Sequence, residues 1–219
     1  MSELTAIVRD SNIQAVSELV AAQIKGTKRG ELVIIDFWTQ MALEGRVFQV
    51  RAGTITTPLV GDVVITDTAA EMCADAISGY TILPAELSIG IRLNTGTLHE
   101  YAAKAVAAIS TSGTAFVPLP LRFNGTIALS TAAATTARVQ AAGAVTVAAE
   151  LATTTLRLWE YANPVAGGAG NDASPLYWVP RTPLVLVGPS CFYVQIAATG
   201  TGPSYYAHFN YVELPSGYD

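Results

Sequence analysis

Asp67, Glu71 and Asp75 stand four residues apart, a spacing that puts three carboxylates on one face of a helix. Three oxygen donors so placed suit a hard divalent cation such as calcium. The looped ligand pattern of known calcium sites is not written around them, so an acidic face turned to water is the commoner outcome. Two histidines, His99 and His208, fall in strand-like runs beside Glu100 and Asn210. Imidazole can relay protons, but a lone strand histidine is more often a satisfied or surface residue. Cys73 and Cys191 are far apart and form no CxxC or metal-spaced set. Each reads as a small buried hydrophobe, and a disulfide between them is unsupported.

Other chemistry is thin. Lys25, Lys28 and Arg29 make the only dense basic cluster, flanked by Gly26 and Gly30. Short charge runs are usually solvated linkers; the functional alternative is a contact with nucleic acid or an acidic partner surface. Gly167, Gly168 and Gly170 sit in a loop with no strand-loop-helix context and no following Lys, so they do not make a phosphate loop. No nucleophile-elbow, zincin, dinucleotide or Walker motif occurs. The residues name no catalytic group, cofactor or metal, and the chain is not expected to be an enzyme.

The elements that hold these residues are read from composition and period. Of 219 residues, 51% are hydrophobic and only 13% charged, with a net charge of −5. A soluble domain carries roughly 25% charged residues, so much of this exterior should face other protein. The negative charge argues against broad phosphate neutralisation. No apolar run reaches the roughly 18 residues that cross a bilayer, and Met1 to Gly30 lacks the basic-then-apolar order of a secretory signal.

Ser11 to Gln14 is a capping-box pattern, and Ile13, Val16, Leu19 and Val20 share a helical face. An amphipathic helix is therefore expected over 11–25, within an N-terminal arm of residues 1–30. Short helices are also expected near 31–43 and 68–77. Elsewhere residues 31–219 read as strand and turn, in one β-sandwich domain. Leu87, Ile89, Ile91 and Leu93 alternate with polar residues, as a half-buried strand does. Leu98 to Ile109 is read as a long strand, and Pro118 and Pro120 put Ala115 to Phe123 at a sheet edge. The segment Cys191 to Leu214 reads as a hairpin about Thr199 to Pro203, with Phe192, Val194 and Ile196 on one face. In its second run Tyr205, Ala207, Phe209 and Tyr211 share a face.

Arm, low-charge Ala/Thr/Gly-rich body, proline-bearing strand Ala115 to Phe123 and final Tyr-rich hairpin together resemble the single jelly-roll capsid proteins of icosahedral viruses and phages. The resemblance covers the whole chain and rests on layout. It implies an all-β, jelly-roll-type antiparallel sandwich with an N-terminal helical arm that assembles with copies of itself into a virion shell. The arm stripe Ile13, Val16, Leu19 and Val20 would contact another subunit. Many coat proteins that package RNA directly carry Arg-rich arms, whereas residues 1–30 here hold four basic residues and three acidic ones. Nucleic-acid contact is then weak or indirect. The other readings are a phage decoration or tail protein, and a carbohydrate-binding sandwich using Trp159, Trp178, Tyr205 and Tyr206 as aromatic platforms.

Overall fold

The structure, a computed structural model, describes residues 36–93, 96–122, 135–141, 143–164 and 175–215, and the backbone of 5–7 and 21–23. Eight strands build the body, in chain order Val47–Ala52, Met72–Ala76, Tyr80–Leu93, Leu98–Val106, Thr155–Pro164, Leu176–Trp178, Ser190–Ala198 and Ser204–Pro215. The first pairs with the eighth, the second with the seventh, the third with the sixth and the fourth with the fifth, all antiparallel. Those are the partners of one long antiparallel ribbon folded back between strands four and five. Two further pairings, eight with three and seven with four, lay the ribbon into two sheets ordered 1-8-3-6 and 2-7-4-5. The fold is thus an all-β antiparallel sandwich. Leu119–Pro120 extends the first sheet at its margin beside Val47–Ala52, and Thr136–Val139 with Thr114–Phe116 extends the second.

The alternation of side chains explains why these segments are strands. Tyr205, Ala207, Phe209 and Tyr211 are buried against Phe192, Val194 and Ile196 of the facing sheet, in one core with Leu87, Ile89, Ala103 and Ala105. Phe192 lies opposite Ala74 on one side and Ala105 on the other. Those small neighbours leave its ring room to stack on Phe209, with centroids 4.0 Å apart and planes 8° apart. Burying a side chain of this size contributes about 1.5–3 kcal/mol.

The outer face of the second sheet is covered as well. Ala69–Ala70, Val145–Thr146 and Thr111–Ser112 form a three-stranded cap, and Val145 and Val147 pack on Cys73, Cys191 and Tyr193 beneath it. On the outer face of the first sheet the helix Phe37–Leu43 seats Met41 on Val47, Val212 and Leu214.

Three expectations change. The runs at 190–198 and 204–215 are strands with the faces expected, but they lie in different sheets and do not pair with each other. Thr199 to Pro203 is therefore a crossing between layers, not a hairpin turn. The segment 68–77 is strand, not helix: Met72, Ala74 and Ala76 face the main core while Cys73 and Asp75 face the cap. Both faces are buried, so no polar side reveals the period, and a four-residue spacing satisfies a strand face as well as a helical one. In the arm, Ala21–Gln23 is a strand paired antiparallel with Thr5–Ile7, so the helix does not run to residue 25. The ladder with Thr5–Ile7 takes backbone groups that a helix would have paired internally; residues 11–20 lie outside the described residues. The helix expected at 31–43 is present as Phe37–Leu43 and the long strand at 98–109 as Leu98–Val106.

Candidate functional site

A groove of about 610 Å³ lies open on the outer face of the first sheet. One wall is the helix Phe37–Leu43. Asp36 caps it, its carboxylate accepting the Thr39 N–H at 3.0 Å, and that bonding, side chain first, lowers the Asp36 pKa. The opposite wall runs from Val179 to Leu184, and Leu83, Ala85 and Asn210 form the floor. Prolines at 180 and 183 have no N–H to donate, so this wall cannot join the ladder and stands away from the sheet. Phe37 and Trp38 meet edge to face at 5.4 Å and stay 37% and 45% exposed, with Val179 across the groove at 61%.

The groove belongs to a wider pattern. Nineteen large hydrophobic side chains are exposed among the described residues, including Ile55, Val60, Val63 and Val64 in the crossing from strand one to strand two. Single exposed hydrophobes are ordinary; four along one crossing and four around one groove make surfaces that favour burial against protein. Such arrangements bind by area and shape.

Polar groups under and beside the cap do the opposite work of fixing the chain to itself. Lys104 reaches Glu150 at 3.0 Å, and Arg157 meets the other carboxylate oxygen at 2.5 Å. Burial alone would raise Glu150, but these bonds outweigh it and leave its pKa below the ordinary value. Gln195 donates to the carbonyls of Thr66 and Ala69 at 2.6 and 2.8 Å. Glu71 accepts the Ile196 N–H at 2.8 Å and the Asp62 N–H at 3.4 Å. Burial first, and the Asp62 carboxylate second, push the Glu71 pKa well above its ordinary 4.5.

A pH effect follows. Above about pH 4.5 the unfolded chain releases the Glu71 proton while the folded chain retains it, so its contribution is full below 4.5 and is lost as pH rises through the folded value. Glu71→Gln keeps a neutral acceptor for Ile196 and removes the linkage. Its melting temperature should match the parent near pH 4.5 and exceed it increasingly toward pH 8, as read by thermal denaturation across pH. A pH-independent difference would show that Glu71 does not titrate as described.

The residues singled out by sequence disperse. Asp67 is exposed, whereas Glu71 and Asp75 are buried with separate partners, Ile196 and Ser110; the three form no common cation site. His99 is buried in the second sheet, with Nδ1 3.1 Å from the Tyr101 hydroxyl. His208 is in the first sheet, its pKa lowered by burial and then by Arg51. The two histidines therefore serve no shared centre. Of the aromatic platforms, Tyr205 is fully buried and is excluded. Trp178 stacks on core Phe192 at 5.7 Å. Tyr206 lies over Gly90, where an added Cβ would come within 2.2 Å of its ring. Trp159 stacks on Tyr161, 43% exposed, with planes 2° apart. Lys25, Lys28, Arg29, Ile13, Val16, Leu19, Val20 and the glycine loop lie outside the described residues. Sequence reading missed the groove, whose walls are far apart in the chain, and the Glu71–Asp62 pair; the outward alternation of Glu71, Cys73 and Asp75 was the available signal.

Fold and surface together define an antiparallel β-sandwich with exposed apolar area at the groove and along the crossing from strand one to strand two. No family model matches the chain, and comparison with curated proteins and with solved structures likewise finds no match. Among the described residues no helix is long and apolar enough to cross a membrane.

Proposed function

We infer that the chain is a structural protein of a virus particle, a major capsid protein that assembles with copies of itself into a closed icosahedral shell in the virion. The observation that carries this reading is the exposed apolar surface, present both at the groove and at the strand-one-to-two crossing. A shell subunit needs several contacts, and a binding module needs one. The strand order 1-8-3-6 and 2-7-4-5 supports a jelly roll, the double Greek-key arrangement that capsid proteins share with lectins. Since fold alone does not imply function, the exposed apolar surface is what favours the capsid use over the lectin one. A decoration or tail protein would use fewer of these contacts. The carbohydrate-binding reading draws on the Trp159–Tyr161 stack and predicts a small soluble oligomer.

Electron microscopy of purified chain separates these readings, since the capsid reading requires closed particles. Apolar contacts contribute about 25 cal/mol per Å² and are hardly screened by salt, whereas phosphate contacts weaken steeply with it. Particles should therefore form without nucleic acid and persist in high salt. Replacing Lys25, Lys28 and Arg29 together by Ala should change packaged nucleic acid, if anything, and leave shell formation intact. Particles that dissociate on raising salt or on nuclease treatment would make the genome the scaffold. A homogeneous small oligomer at every concentration would sink the capsid reading.

A further inference from the structure

The second and seventh strands pair with Cys73 opposite Tyr193 and Cys191 opposite Asp75. The two cysteines therefore sit diagonally across one ladder, on the face turned to the cap, with Asp75 two residues along from Cys73. The thiol sulfurs and an Asp75 carboxylate oxygen all lie within 4.8 Å of one another, and all three residues are buried. Ser110, also buried, closes the set from the segment that follows the fourth strand. Its Oγ accepts from Cys73 Sγ at 3.0 Å and donates to Asp75 Oδ2 at 2.6 Å, while its N–H donates to Asp75 Oδ1 at 2.8 Å. Thr136 donates a further bond to Oδ2 at 3.2 Å. Val106, Val145 and Val147 pack around the thiols and keep the surroundings apolar.

We propose that Cys73, Cys191 and Asp75 form a structural zinc site, with the Ser110 hydroxyl or a water as the fourth ligand. Two sulfurs and a carboxylate suit a borderline-soft ion that prefers four ligands. Calcium and magnesium take oxygen shells and are poorly matched to the sulfurs. With Zn–S near 2.3 Å and Zn–O near 2.0–2.2 Å, tetrahedral ligand atoms stand roughly 3.5–4 Å apart, so small side-chain rotations bring this set to bonding distance. Binding replaces two S–H bonds by two Zn–S bonds and releases two protons; no electrons are transferred. The Ser110–Asp75 bonds position the carboxylate, as partners behind a first ligand do. The ion would join two strands of the second sheet to the base of its cap. The proposal does not depend on the capsid reading.

The test uses the full chain, loaded with Zn²⁺, passed through a desalting column and measured for bound metal by mass spectrometry, with a parallel sample loaded with Co²⁺. One equivalent of zinc per chain and a cobalt spectrum with thiolate charge-transfer and intense tetrahedral bands are expected. Cys73→Ser and Cys191→Ser should each lower zinc affinity at least a hundredfold and remove or halve the charge-transfer band; Asp75→Asn should lower affinity about tenfold. In the folded parent, where burial already slows alkylation of both thiols, zinc should slow it further than in the metal-free chain, a readout that stands even where a variant fails to fold. No stoichiometric zinc, an octahedral cobalt spectrum, unprotected thiols or a Cys73–Cys191 disulfide found by mass spectrometry would each overturn the proposal.

Discussion

A chain carrying Trp38→Asp and Val179→Asp is expected to fold as the parent does and to form no particles. Both side chains are exposed in the single chain, at 45% and 61%, and exposed substitutions usually change stability by no more than about 0.5 kcal/mol. Trp38 also holds the second position of the helix capped by Asp36, where a negative charge is favourable beside free backbone N–H groups. In an assembly that covers the groove, the outcome differs. Losing one buried aromatic contact costs about 2 kcal/mol, roughly thirtyfold in each contact's equilibrium constant, and burying a carboxylate there costs more. A shell repeats that loss at every copy. Size-exclusion chromatography and electron microscopy would follow particles while circular dichroism and melting follow the fold. Normal particles from the double variant would show that this groove stays open in the assembly.

Phe209→Ala should damage the subunit itself. Phe209 is fully buried, stacked on Phe192 of the facing sheet at 4.0 Å and beside Tyr211 at 5.4 Å on its own strand. Its neighbours across the ladder are Val50 and Leu87, so the residue ties both sheets and three strands together. Truncating a buried Phe costs about 3–5 kcal/mol, which lowers the melting temperature by roughly 6–20 °C for a domain of this size. Phe209→Leu retains most of the volume and should cost distinctly less. A change of only a degree or two in the Ala variant would mean that the two layers do not depend on this stack.

How far the sequence could be read depends on which faces are wet. Tyr205 to Tyr211 alternates a buried face with a half-exposed one, and its strand and inward side were legible from period alone. Met72–Ala76 is buried on both faces, so carboxylate spacing suggested a helix where the main core and the cap require a strand. Partnership was less legible than direction. Ser190–Ala198 and Ser204–Pro215 are neighbours in sequence joined by a turn-like segment, yet each pairs with distant strands. Turn residues specify that the chain bends, not which ladder it enters. The cysteine cluster was hidden for a related reason, because ligand spacing was sought along the chain while the register of two paired strands sets it here. The groove required both the sheet order and the prolines at 180 and 183 to be placed.

The pairing of the first strand with the eighth has a consequence for how the protein is made. Val47–Ala52 leaves the ribosome long before Ser204–Pro215, its partner and the centre of the first sheet. At about 5–20 residues per second the interval is on the order of ten seconds. During it, the inward faces of strands one and three have no shared neighbour between them. Neither layer can close on the other until Ser190–Ala198 and Ser204–Pro215 have both emerged, because each is central to its sheet. A product truncated by premature termination would lack the strand that joins its sheet. Synthesis itself would then act as a checkpoint, since only a chain that includes Ser204–Pro215 can close its two layers.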